Sequence, residues 1–97
     1  MAARLIDCDW PDFGPVALPA HSSLPEMRAR LAAIRAAMAA RGLDRLVIYG
    51  DREHSGNMLW ATGFDPRFEE ALLIVSQDRA VLAAGNECLP YAQISPL

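Results

Sequence analysis

The chain predicts an α/β domain with a mixed β-sheet and flanking helices, on three observations. A capped, amphipathic helical stretch spans "SSLPEMRARLAAIRAAMAARG"; the β-branched run "LDRLVIYG" follows it directly; and two more apolar runs, "EEALLIVS" and "RAVLAAG", lie close together further on. Helical periodicity giving way to short apolar runs bounded by Gly, Asp and Pro is the pattern of helices packed on a sheet. With 97 residues, 53% of them hydrophobic and 22% charged, there is material for one core and not for two. A globular chain of this length has a radius of gyration of roughly 13 Å.

Residues 1–21 read as an extended arm. Pro11, Pro15 and Pro19 recur at four-residue spacing and resist regular helix. Trp10, Phe13, Val16 and Leu18 are expected to lie against the arm's own domain or a neighbouring subunit. The domain proper is assigned to residues 22–97. Its first helix has Ser23 as N-cap, Glu26 placed to complete a capping box, Pro25 in the first turn and Gly42 as its stop. Leu24, Met27, Leu31, Ile34 and Met38 form one apolar stripe, with Arg28, Arg35 and Arg41 off it. The stripe covers about two heptads, which suits a core helix better than a coiled coil.

After Gly42, "LDRLVIYG" reads as an interior strand, and "REHSGNMLWATG" as a loop and short helix ended by Gly63. The two later apolar runs form an antiparallel hairpin turning at Gln77-Asp78. In the closing "NECLPYAQISPL", Pro90 and Pro96 oppose a long strand.

Composition narrows the chemistry. Nine basic residues against twelve acidic ones leave a net charge of -3, without the basic footprint that nucleic acid requires. There is no apolar run of about 20 residues to span a membrane, and acids and prolines interrupt the N-terminus before a signal core can form, so a cytoplasmic location is expected. All nine basic residues are arginine, which excludes a Schiff-base lysine and a GxxxxGK[ST] phosphate loop. Cys8 and Cys88 are expected to be reduced thiols.

His54 with Asp51 and Glu53 is the one local group of metal-ligand types, and it reads as a solvated loop. Ser55 beside His54, or Cys88 with either histidine, lacks a nucleophile elbow. A small cysteine hydrolase using Cys88 would need a depressed thiol pKa. Glu69 and Glu70 face opposite sides if they begin a strand. In "GFDPRFEEA", Gly63 and Pro66 shape a turn presenting Asp65 and Arg67; Arg67 either braces the loop against Asp65 or Glu69 or holds a carboxylate through its fork.

The order of a capped helix, "RGLDRLVIYG", "NMLWATGFDPRFEEALLIV" and "GNECLPYA" resembles the N-terminal domain of the creatinase, prolidase and aminopeptidase P family of "pita-bread" metallohydrolases. The likeness runs from about Met27 to Leu97, and "WATGF" is similar to the family's Tyr-Leu-Thr-Gly-Phe segment. It implies a noncatalytic domain, incomplete at its C-terminus, that serves dimerisation and substrate access. The reaction would belong to a C-terminal catalytic domain, usually holding divalent metal ions such as manganese, cobalt or zinc. No cofactor is expected in this chain, no catalytic residue and no metal ligand. The resemblance assigns substrate contact to Arg67, with Arg52 and His54 at the same mouth. The partners it implies are a second copy, as a homodimer, and that catalytic domain, with no nucleic acid or membrane. The alternative is a stand-alone interaction or dimerisation module without a hydrolase.

Overall fold

The computed structural model describes residues 2–17 and 20–97. Helix α1 (Leu24–Ala40) starts at Ser23, whose Oγ accepts the Glu26 backbone N–H at 3.3 Å. The other half of the expected capping box does not form, because the Glu26 carboxylate turns instead to Arg30, one helical turn on. At the far end the Gly42 N–H donates to the Ala39 carbonyl at 3.1 Å and the Leu43 N–H to Met38 at 2.9 Å. This double bond pattern is a Schellman stop, and Gly42 adopts the positive φ of 65° that it needs.

Strand β1 (Leu46–Gly50) follows, then helix α2 (Gly56–Thr62), strands β2 (Ala71–Val75) and β3 (Ala80–Ala84), and a one-turn helix α3 (Leu89–Gln93) with Pro90 in its first turn. The sheet order is β1-β2-β3, and both pairings are antiparallel. The α/β class is the expected one; within it, the described strands contain no parallel pair. The β2–β3 turn is closed by the Ser76 N–H on the Arg79 carbonyl at 2.8 Å, with Ser76 Oγ donating to Asp78 at 2.7 Å. Those hydroxyl contacts hold a two-residue turn in which neither Gln77 nor Asp78 takes the positive φ of the Asn-Gly type.

The helices cover one sheet face. Ala71, Leu73 and Val75 alternate inward along β2 and meet Met38, Met58, Ala61, Phe64 and Cys88 in the core. Leu31 and Ile34 of the α1 stripe pack against this cluster and Met27 is fully buried, so from Met27 onward the stripe read from the sequence is the helix's inner face, while Leu24 at its start is exposed. Arg35 fastens α1 to the hairpin, its Nε donating to the Ser76 carbonyl at 2.9 Å while Gln77 Nε2 donates back to the Arg35 carbonyl at 3.1 Å.

Residues 2–17 form no helix or strand. Leu5, Trp10, Phe13 and Val16 are each more than four-fifths exposed, so the expected packing of these arm residues on the domain is not found. Leu18 and Pro19 lie outside the described residues. The radius of gyration is accordingly 19.5 Å, with extents of 67 × 27 × 24 Å, well above the value for a chain wholly gathered around its core.

Candidate functional site

The "WATGF" segment sets the site's position. Thr62, buried, donates its hydroxyl to the Met58 carbonyl at 2.7 Å and accepts the Phe64 N–H at 3.0 Å. Gly63 between them takes φ 73°, and its N–H ends α2 on the Leu59 carbonyl at 2.7 Å. The Thr62 hydroxyl and the Gly63 and Phe64 N–H groups of the reversal are therefore all paired, and Phe64 sits in the core at 1% exposure. The chain leaves this anchor as a loop, Asp65 to Glu70, aimed back toward the end of β1.

Within the loop, Asp65 Oδ1 accepts the Arg67 backbone N–H at 2.9 Å. Arg67 has φ 60°, the left-handed region that a side chain enters at a cost of about 1 kcal/mol. Its guanidinium lies 5.5 Å from the centre of the Tyr91 ring. Neither side-chain brace considered for Arg67 forms among the described residues: Asp65 holds its backbone, and Glu69 accepts the Cys88 N–H at 2.8 Å.

Arg67 shares an open cleft of about 320 Å³ with Arg52, Ser55, Asp65 and Phe68. Two of the three residues assigned to substrate contact thus come together from separate loops. The third, His54, is not in the lining; its Nδ1 donates to Asp51 Oδ1 at 2.9 Å. Asp51 Oδ1 also accepts the backbone N–H groups of Glu53 and His54, at 2.9 and 2.6 Å, which folds the loop carrying Arg52. Partial desolvation opposes ionisation of Asp51, but the bonds from the His54 backbone, Tyr49 and the His54 ring outweigh it and hold the carboxyl below its ordinary value.

Sequence reasoning missed Tyr49. Its hydroxyl lies 3.0 Å from Asp51 and 3.2 Å from Glu70, and the hydrogen bond to Asp51, assisted by desolvation and both negative charges, pushes the phenol up to about 12. The signal was the strand period, which sets Tyr49 and Glu70 on the same face across β1 and β2. Glu69 and Glu70 do part company as expected, the first toward Cys88 and the second toward Tyr49.

Cys88 is fully buried, and its Sγ donates to the Pro66 carbonyl at 3.1 Å. Burial first, then the neighbouring Glu69, raises its pKa, the reverse of what a thiolate nucleophile requires. Cys8 and Cys88 are both free thiols. Among the described residues no group of three or more His, Cys, Asp or Glu could hold a metal ion. The Asp51–His54 pair is already engaged with itself, with Tyr49 and with the loop backbone, so these side chains do not fit the divalent ions implied for the parent enzymes. No described helix is long and apolar enough to cross a membrane.

The arrangement can receive an anion: two always-charged, fork-shaped donors line one cleft, and a single carboxylate, Asp65, shares its lining. Neither a curated protein nor a solved structure matches the chain. Residues 30–87, more than half of its length, match the family model of the creatinase/prolidase N-terminal domain, and they take in α1 from Arg30 onward, the whole sheet, the Thr62-Gly63-Phe64 anchor and the Arg67 loop; the chain belongs to that family.

Proposed function

We propose that this domain is the noncatalytic N-terminal part of a creatinase-like or Xaa-Pro peptidase-like hydrolase, where it takes part in a cytoplasmic homodimer and shapes access to a metal-dependent C-terminal catalytic domain. Family membership supports the placement, and the observation that carries the access role is the shared cleft of Arg52 and Arg67. Chemically, such a cleft holds the carboxylate end of a small substrate, while hydrolytic water and its metal ions belong to the partner domain. His54 acts indirectly, by completing the turn that presents Arg52.

The test is an NMR titration with glycyl-proline and, separately, with its C-terminal amide. The dipeptide is expected to perturb resonances of Arg52, Ser55 and Arg67 while the amide does not, and Arg67→Ala is expected to weaken binding about tenfold. Equal perturbation by the amide, or binding indifferent to Arg67→Ala, would sink the access role. A second reading, a stand-alone interaction module, draws support from the exposed Leu5, Trp10, Phe13 and Val16 of the arm.

A further inference from the structure

The helices leave the opposite face of the sheet bare, and strand register fixes its pattern. Val47, Ile74 and Val81 form one row across the three strands, and Tyr49, Leu72 and Ala83 form the next. Val47, Tyr49, Leu72 and Val81 are between 36% and 56% exposed, a high value for four large apolar side chains side by side on a sheet. Continuing the same register, the row beyond Val47 is Arg45, Ser76 and Arg79, and the row beyond Tyr49 is Asp51, Glu70 and Gly85. The apolar centre is thus flanked by two arginines at one end and two carboxylates at the other.

The arginine end opens into a cleft of about 370 Å³ lined by Arg45, Ile74, Ser76, Asp78, Arg79 and Val81, with Asp78 tied to Ser76. At the other end the Tyr49 hydroxyl joins the two carboxylates, 3.0 Å from Asp51 and 3.2 Å from Glu70, with His54 outside on Asp51. This order is self-complementary under one operation only. A two-fold axis lying across the strands sets each arginine row over the partner's carboxylate row, whereas an axis along the strands sets like on like.

We infer that this face is where two copies of the chain meet, sheet against sheet, with Val47, Tyr49, Leu72, Ile74 and Val81 at the centre and Arg45 and Arg79 facing Asp51 and Glu70 of the second copy. The inference rests on the homodimer reading above and names its surface. Two such sheets pack about 10 Å apart, as in a β-sandwich. Three strands of five residues measure roughly 14 by 17 Å, small against the ~800 Å² per partner of a standard interface. The dimer is therefore a weak one that dissociates on dilution through the micromolar range.

Sedimentation velocity on the whole chain, from a few micromolar to about a millimolar, tests this. Wild type is expected to shift from monomer to dimer, and Ile74→Asp to stay monomeric, with circular dichroism checking that it is folded. Arg45→Glu and Glu70→Arg are each expected to weaken the dimer about tenfold, and the double variant to recover most of the loss. A dimer indifferent to all of these overturns this face but leaves dimerisation itself standing. A wild type monomeric at every concentration overturns both, and if Trp10 fluorescence also changes in Leu72→Asp, the arm is the true cover.

Discussion

Tyr49 is the residue whose ionisation the fold moves most clearly. Its hydroxyl is shared between Asp51 and Glu70, so the folded state keeps the phenol protonated beyond the ordinary value of 10.0 and up to about 12. A folded-state pKa raised in this way lends stability that is fully present below about pH 10 and is lost as pH climbs toward 12. Ultraviolet titration of the phenolate band is expected to show a step near pH 12 that Tyr49→Phe removes and Asp51→Asn moves down. Finding no such step sinks the hydrogen-bonded cluster. At this scale the sequence was partly legible. The resemblance assigns Arg67, Arg52 and His54 to one mouth; the two arginines do line one cleft, whereas the turn geometry around Asp51 directs the His54 ring away from it. Tyr49 is not singled out by the sequence, because its partner Glu70 is 21 positions away and the pairing exists only once the register is known.

Among the elements, the two helix stops separate two uses of glycine. Gly42 and Gly63 both have positive φ, but a side chain at 42 would meet open space, whereas a Cβ at 63 would lie 2.7 Å from Pro96 Cδ. Gly42→Ala should therefore lose only the left-handed backbone preference, about 1 kcal/mol, and Gly63→Ala that preference plus a clash, about 2 kcal/mol or more. Urea unfolding of both variants checks the difference, and equal losses would mean that Pro96 moves freely. These elements were legible because their signals are local: Ser23, Pro25 and Gly42 bound α1, Gly63 ends α2, and two apolar runs flank a polar turn. The capping box was half wrong for a local reason too, since Arg30 offers Glu26 a charged partner where the helix start offers a neutral N–H.

For the molecule as a whole, one core beneath three strands protects Cys88 while Cys8 stands in the exposed arm. Reaction with a thiol reagent is expected to modify one cysteine at once and the second only at the rate of unfolding, accelerating with denaturant. Two equally fast thiols would contradict the packing of α3's N-terminus against the core. The arm's apolar residues are expected against the domain or a neighbouring subunit, and the domain leaves Leu5, Trp10, Phe13 and Val16 exposed, because hydrophobic side chains do not by themselves say where they will be buried.

Gly85 and Glu69 carry a last consequence. A methyl group at position 85 would fall onto the Glu69 carboxylate, the group that receives the Cys88 N–H at the entrance to α3. The demand on Gly85 is thus one of room rather than of backbone angle, and it lasts only while a long acid occupies position 69. The two sites are coupled through that carboxylate: an alanine at 85 swings the flexible Glu69 side chain off the Cys88 N–H, so its cost is that hydrogen bond rather than a backbone clash.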